Sequence, residues 1–422
     1  MAPPRLLQLV HGYPPEQRAG TEVYAQRVAR GLEARGWQVL TVAAHREPGA
    51  PLYAQRREPG LLRVVQNRPF RGLAAAESDP ILDRILEAEI EKFRPDLIHV
   101  QHLLFLSTTF RSPVPMLWTL HDAWGWCPAG GLLLREGRPC SGPSAACVAC
   151  AGAWGSEPAA AERLIGLAGR LSFVAPPGQL HRLWKMLPVG LRARLPSRPT
   201  TLTQAHVDRR QEALRAFAHR CARLLSPSRY LAERAEAAGL GPVQVLPQGV
   251  DAPVLPELPR RYLLFLGTLA PHKNPILVRD AWKKSGSPLH LRIVGPSGSD
   301  LAYLRELEAG QPRPEPPVSD PFPLLRGAQA LVLGSIWPEN APLVIREAQA
   351  MGTPVIAPDI GGIPELCPSR LYPPGDLDAL AACIADAGSL PPPPPPPSFS
   401  AHLDALEKHY FSLGAGRPPG RA

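Results

Sequence analysis

Two glutamates eight positions apart, Glu339 and Glu347 in PENAPLVIREAQ, flank a proline and the start of an apolar, helix-like run. A carboxylate accepts hydrogen bonds on both oxygens, so one such group can take the two hydroxyls of a vicinal diol. Close to a helix start it is also favoured by the dipole. The pair can therefore grip sugar hydroxyls or a ribose; the plainer reading is the charged ends of a surface helix. Upstream, LFLGTLAPHKN brings Thr268 and Lys273 just past a strand end. Lys273 has the charge and reach to meet a diphosphate, although a solvated surface lysine has the same signature. In HGYPPEQRAGTE, Gly20 precedes a helix expected from about Thr21. A glycine there lets free backbone N–H groups approach a phosphate, or it simply makes a turn. His121 follows LWTL and precedes Asp122. A strand-end histidine is placed to hydrogen-bond a ligand or trade a proton, with a satisfied structural histidine as the alternative. His11 and His99 sit at similar strand positions with less around them.

Four of the seven cysteines, Cys127, Cys140, Cys147 and Cys150, fall within CPAGGLLLREGRPCSGPSAACVAC. A terminal CxxC with two more thiols nearby, in a Gly- and Pro-rich loop, predicts tetrahedral thiolate ligation of a structural zinc. An iron–sulfur cluster uses the same ligands, and disulfides or loose thiols are the remaining options. Cys221, Cys367 and Cys383 are isolated and expected as buried thiols.

The elements that must position these residues follow a regular rhythm. LLQLV, WQVLTVAA, LIHVQ and MLWTLHD read as strands, with amphipathic helices over 21–36 and within 78–96. Strand–helix–strand alternation predicts a parallel sheet covered on both faces. Residues 160–240 read as mostly helical, with LSPS and VQVLPQGVD as short strands. After a proline-held linker over 253–261 the pattern restarts, and YLLFLG, LHLRIVG, AQALVLG and TPVIAPD supply the strands of a second open sheet. The expectation is an α/β chain of two Rossmann-like, doubly wound domains facing each other across a cleft: 1–250, then 251–398. Residues 399–422 add a helix and tail that pack back on the first domain. Seven consecutive prolines in 389–399 make a stiff surface loop.

The chain has 422 residues and a net charge of +9. Residues 1–250 hold 31 basic against 20 acidic side chains; residues 151–230 alone hold 13 against 4. Such a field suits anionic partners, including a membrane surface, or is a solvated arginine-rich face. No nucleic-acid recognition module is present, and no nucleic-acid partner is expected. GxxxxGK[ST] and a full dinucleotide fingerprint are both missing, which argues against P-loop and nicotinamide chemistry. The N-terminus reads as a buried strand rather than a signal peptide, and no apolar run is long enough to span a bilayer. The expected location is cytoplasmic, with association at the inner membrane face as an option.

Eight elements in order carry a resemblance: AGTEVYAQRVARGL, DLIHVQH, TLHDAW, LSPSRYLAERAEAAGL, VQVLPQGVD, FLGTLAPHKNP, PENAPLVIREAQAMGTPVIAPDIGGIPEL and YPPGDLDALA. The chain resembles the family 4 retaining glycosyltransferases of GT-B architecture, in the subset with a cysteine-rich loop in the N-terminal domain. The resemblance implies transfer of a hexose from a UDP- or GDP-sugar to a glycan, lipid-linked glycan or small-molecule acceptor, with no organic cofactor. It implies that Gly20 and Lys273 meet the donor diphosphate and that Glu339 lies near the transferred sugar. The backbone of Asn340, Ala341, Pro342 and Leu343 would bind sugar hydroxyls and phosphate. Glu347 would hold the ribose, and His121 would hydrogen-bond the donor sugar. Where the family often has Arg after the strand-end glycine, this chain has Thr268. A non-catalytic sugar-nucleotide or glycan binder, and a same-fold phosphorylase or epimerase, are the alternative functions.

Overall fold

The computed structural model describes residues 2–47, 49–67, 78–155 and 203–416. Most of the basic stretch and of the segment expected to be helical, 156–202, lies outside the described residues, as does the tail from 417.

An eight-stranded sheet organises the N-terminal half. Its strands are β1 (Arg5–Val10), β2 (Gln38–His45), β3 (Gln55–Glu58), β4 (Leu61–Val65), β5 (Leu97–Val100) and β6 (Met116–Thr119). A separate two-stranded hairpin, β7 (Leu134–Arg135) with β8 (Arg138–Pro139), precedes the last two strands, β9 (Arg223–Ser226) and β10 (Val243–Val245). The spatial order is β10-β9-β6-β5-β1-β2-β4-β3, parallel except for the β3–β4 edge. The strands β1, β5 and β6 are buried on both faces, which is why they read as apolar runs rather than alternations. The second sheet holds β11 (Tyr262–Leu266), β12 (His290–Val294), β13 (Ala328–Val332), β14 (Val355–Pro358) and β15 (Arg370–Tyr372), all parallel in the order β12-β11-β13-β14-β15.

Both sheets reverse direction in the same way. After β1 the chain adds β2 on one side and later returns to place β5 on the other; after β11 it adds β12, then returns to place β13. The crevices β1/β5 and β11/β13 are therefore topological switch points, where open α/β sheets take ligands.

The helices that flank the sheets are α1 (Gly20–Ala34), α2 (Pro80–Phe93), α3 (Cys147–Gly155), α4 (Gln204–Arg220) and α5 (Arg229–Ala237) in the first half. The second half supplies α6 (Pro275–Ser285), α7 (Leu301–Ala309), α8 (Phe322–Gly327), α9 (Leu343–Ala350) and α10 (Leu377–Ala385). In α1, Tyr24, Val28 and Leu32 recur at four-residue intervals and bury one stripe.

The last helix, α11 (Phe399–Ser412), crosses back to the first domain. Its Tyr410 and Leu406 are fully buried against Trp37, Leu97 and Leu117. Polar ties reinforce the crossing: Trp37 Nε1 donates to Glu407 Oε1 at 2.8 Å, and Arg35 Nη1 reaches Glu407 Oε2 at 2.6 Å. The segment before it, including the seven prolines, has no regular structure.

Candidate functional site

The residues singled out by chemistry gather at the two switch points. From the second domain, the β11 exit brings Gly267, Thr268 and, after a short turn, Lys273. The β13 exit brings Ser335, Glu339 and Asn340, and then the start of α9. Lys273 Nζ sits 2.6 Å from Glu339 Oε2, and Ser335 Oγ donates to Glu339 Oε1. Glu339 is 3% exposed, so its charge is stabilised by these partners rather than by water. The Lys273 ammonium also lies 5.2 Å from the centre of the Trp337 ring. Beside it, His272 has its pKa pushed down to about 4 by burial and then by the lysine charge, so it adds no cation at neutral pH.

Glycines shape this wall where nothing larger fits. A β-carbon on Gly361, whose φ is 63°, would stand 2.3 Å from the Glu339 carbonyl oxygen. One on Gly362 would stand 2.0 Å from that of Asn340, while the Gly362 N–H donates to Glu339 O at 2.7 Å. DIGGIPE thus holds the backbone of Glu339 and Asn340, a role that motif spacing did not suggest.

Gly20 opens α1, and a β-carbon there would lie 3.9 Å from Leu343 Cδ1, ordinary contact distance. The glycine is thus not demanded by sterics in this arrangement. What its position establishes is that the N-termini of α1 and α9 meet across the cleft. Neither has a capping side chain: Ala19 and Pro342 occupy their cap positions. By contrast Asp79, Ser228, Asn274, Asp300, Asp376 and Ser398 cap α2, α5, α6, α7, α10 and α11. Uncapped helix starts present free N–H groups and a partial positive charge, a ready site for an anion.

Glu347 lies one turn into α9, 8% exposed, and accepts a hydrogen bond at Oε1 from Arg27 Nη2 of α1 at 2.7 Å. Asn340 spans the domains with its side chain: Nδ2 donates to the Leu120 and His121 carbonyls at 3.2 and 3.0 Å, and Ser228 Oγ donates to its Oδ1 at 2.5 Å. The side chain is therefore committed to holding the domains together, leaving the backbone of 340–343 for a ligand. Arg27, Ser228, Ser335 and the two glycines were not singled out by sequence reasoning: Arg27, Ser228 and the glycines act through partners distant in the chain, and Ser335 through the fold of its own loop onto Glu339.

The first domain contributes a floor of histidines. His11 leaves β1, His102 leaves β5, and His121 leaves β6. His11 and His102 rings pack 4.2 Å apart. His11 Nε2 meets Glu22 Oε1 at 3.0 Å, and His102 Nε2 faces Asp122 Oδ2 at 3.4 Å. Burial lowers the pKa of His102 and pushes that of His121 down to about 3, with His102 adding to the latter shift. His121 Nε2 lies 2.8 Å from Gln101 Oε1, and its ring meets Tyr24 edge-on at 5.0 Å. At neutral pH His102 and His121 are therefore uncharged imidazoles beside the Asp122 carboxylate. His99 is fully buried beneath it.

The expectation of zinc or an iron–sulfur cluster at Cys127, Cys140, Cys147 and Cys150 is not met. The four thiols line one small cavity with Pro128, Ala129, Leu133 and Leu134. Among the described residues, however, no three His, Cys, Asp or Glu groups are placed to hold a metal ion. The sulfurs are engaged separately instead: Cys140 Sγ donates to Gly142 O at 3.4 Å, and Cys147 Sγ accepts from Ser144 N at 3.2 Å. Burial raises the Cys127 thiol, and burial with the neighbouring Cys147 and Cys140 raises Cys150, which disfavours the thiolates that metals need. All seven cysteines are free. The loop is held by other means: fully buried Arg210 donates to Trp124 O at 2.5 Å, and Arg234 donates to Ser141 O at 3.1 Å. Of the three isolated cysteines, Cys383 is buried, Cys221 half-buried and Cys367 exposed, so the last departs from expectation.

Comparison with known proteins agrees with this geometry. Residues 18–153 match the family model described as Glycosyltransferase Family 4, and residues 260–388 match that described as Glycosyl transferases group 1. No curated protein is similar enough to count as a relative. Among solved structures, a sucrose-phosphate synthase from Thermosynechococcus elongatus is 16% identical with a TM-score of 0.58, covering 97% of this chain and 99% of its own. HepE of Anabaena in complex with UDP is 14% identical with a TM-score of 0.54, covering 97% and 96%. A glycosyltransferase from Rickettsia africae is 13% identical with a TM-score of 0.52, covering 98% and 99%. The chain therefore has the GT-B fold and is related to these two families. The comparisons single out no subset with a cysteine-rich loop. No helix among the described residues is long and apolar enough to cross a membrane.

Proposed function

We propose that the chain is a retaining glycosyltransferase that moves a hexose from a nucleoside-diphosphate sugar to a glycan, lipid-linked glycan or small-molecule acceptor. The observation that carries this reading is the meeting of two uncapped helix starts, at Gly20 and Leu343, in the cleft that also holds the Lys273–Glu339 pair. A departing nucleoside diphosphate gathers negative charge as the glycosidic bond breaks. Helix N-termini and an ammonium stabilise that charge more in the transition state than in the ground state, which is what accelerates transfer.

In this reading the second domain binds the donor and the first the acceptor. Lys273 exchanges its contact with Glu339 for the diphosphate, Thr268 adds a hydroxyl donor, and Glu347 takes the ribose diol. The backbone from Asn340 to Leu343 meets sugar hydroxyls and phosphate. Glu339 and His121 face the transferred hexose from opposite walls. A UDP-sugar is the first choice of donor, since a protein of the same fold, Anabaena HepE, was solved with UDP and with UDP-glucose. The basic excess of residues 151–230 supports an anionic or membrane-anchored acceptor at the inner membrane face.

Thermal-shift titration with UDP-, GDP-, ADP- and dTDP-sugars tests the donor, and the Glu347→Ala variant tests its seat. Loss of the ribose contact should weaken nucleotide binding by about tenfold, or about 1.4 kcal/mol. Unchanged affinity and turnover in that variant would remove Glu347 from the site. The anomeric NMR signal of the first product decides retention.

A further inference from the structure

A run of buried amides and rings leads from the centre of the first sheet to His121, and its donors and acceptors can be assigned one by one. The anchor is the Ala25 carbonyl, which can only accept. Gln8 Nε2 donates to it at 3.0 Å and lies 3.2 Å from Thr41 Oγ1, which fixes the orientation of the Gln8 amide. Gln8 Oε1 is then an acceptor, and Gln101 Nε2 donates to it at 3.0 Å. That in turn turns the Gln101 oxygen toward His121, whose Nε2 is 2.8 Å away. An amide oxygen offers no proton, so the hydrogen must be on His121 Nε2. A neutral imidazole with Nε2–H has its lone pair on Nδ1.

The second hydrogen of the Gln101 amide faces His99, where it shares the one lone pair of Nδ1 with a tyrosine hydroxyl. Gln101 Nε2 points at His99 Nδ1, 3.2 Å away, so that nitrogen accepts. Tyr410 of the returning helix α11 brings its hydroxyl to 2.6 Å from the same nitrogen, and His99 Nε2 lies 2.8 Å from Thr119 Oγ1. Gln8, His99, Thr119 and Gln101 are all at most 4% exposed and Tyr410 is 0% exposed, so none of these bonds has water as a substitute.

We propose that Gln101 is a positioning residue that locks His121 in the Nε2–H form, so that Nδ1 meets the substrate as a hydrogen-bond acceptor, and that α11 holds Gln101 in place through Tyr410 and His99. The part concerning substrate rests on the reading of His121 as a residue facing the donor hexose. An imidazole in this form takes a hydrogen bond from a sugar hydroxyl and gives none to a ring or bridging oxygen. The crossing helix, which begins after the second domain, thereby sets the chemistry of a histidine in the first.

The test uses the full chain labelled with 15N in its histidine rings. In the donor-free wild type, the His121 signals, assigned by their loss in His121→Asn, should show a protonated Nε2 and a bare Nδ1. Gln101→Met removes the amide while keeping the length. It should mix the two neutral forms and lower kcat about tenfold or more, with donor KM changed less than about threefold. Tyr410→Phe, which keeps the ring, should lower kcat by about two- to threefold and broaden the same signals. A wild-type ring protonated on Nδ1 overturns the inference, as does a folded Gln101→Met protein with unchanged ring signals and kcat. Should Gln101→Met fail to fold, the wild-type spectrum and Tyr410→Phe decide. Because the spectra need no donor, absence of transferase activity would count against the proposed function and leave the ring assignment standing.

Discussion

The two switch points use one topological device for opposite electrostatic ends. At β11/β13 the side chains are charged and paired: Lys273 with Glu339 across the crevice, and Arg27 with Glu347 at the neighbouring helix. At β1/β5 they are mostly neutral: His99, His102 and His121 are held uncharged by burial, and Gln101, itself held by Gln8, links His99 with His121. In the proposed function, a wall that receives a diphosphate benefits from mobile positive charge and open helix starts. A floor that must orient hydroxyls benefits from fixed donors and acceptors whose protonation does not fluctuate. The difference teaches that a shared sheet topology sets where a ligand sits, while burial sets what the residues there can do to it.

The comparison breaks most sharply at Lys273. Lys273→Ala should lower kcat/KM by about a thousandfold, since the charged wall would lose the Lys273 ammonium while Glu339 remains buried. A drop below tenfold in steady-state transfer would mean that the helix starts alone carry the leaving group. Glu339→Gln comes next. We expect kcat to fall about a hundredfold with UDP affinity, measured by calorimetry, changed less than about threefold. Equal losses in both would place Glu339 at the nucleotide instead of the sugar.

The neutral histidines packed around that floor make their own prediction in acid. His402, buried under Tyr24, has its pKa pushed from 6.5 down to about 4 by burial. Between those values the unfolded chain binds the proton and the folded chain does not, so stability falls as pH falls. At pH 5 this single ring withdraws about 2 kcal/mol relative to neutral pH, and His99 acts in the same direction. Below pH 4.5 Glu22 and Asp122 begin to add a further loss: against the opposing effect of burial, hydrogen bonds from His11 and His102 hold the two carboxyls below their ordinary values. A melting temperature lower by several degrees at pH 5 than at pH 7.5 is expected; a flat profile would contradict the burial of His402 and His99 as neutral rings. The smallest effect concerns the cysteine loop. Dialysis against a strong chelator should leave the melting temperature within about a degree, because the loop is held by Arg210, Arg234 and backbone bonds. A large fall would restore a metal to that loop.

Much of the architecture was legible in the order of residues. Apolar runs ending in glycine or histidine mark the parallel strands, and the four-residue stripe of α1 marks its buried face, because periodicity reports which faces meet a core. The short strands β3, β4 and β15 and the hairpin β7–β8 escaped, since two to five residues carry too little pattern. The cysteine spacing suggested a metal centre, but spacing states only that thiols are near one another along the chain. Whether they converge depends on the loop's own hydrogen bonds.

The sequence by itself determined the class of the molecule: two doubly wound domains, with Lys273, Glu339, Gly20 and His121 placed at strand or helix ends and Glu347 inside a helix. Local pattern suffices for that, because a residue's place in an element follows from its neighbours. Only the tertiary structure decided that Asn340 clamps the domains, that Arg27 meets Glu347, and that Tyr410 reaches His99 from 311 residues away. It also decided that, among the described residues, no three of the four thiols are placed to share an ion. These are contacts between distant segments, and their geometry is set by how two sheets and a returning helix pack, which no stretch of neighbouring residues encodes alone.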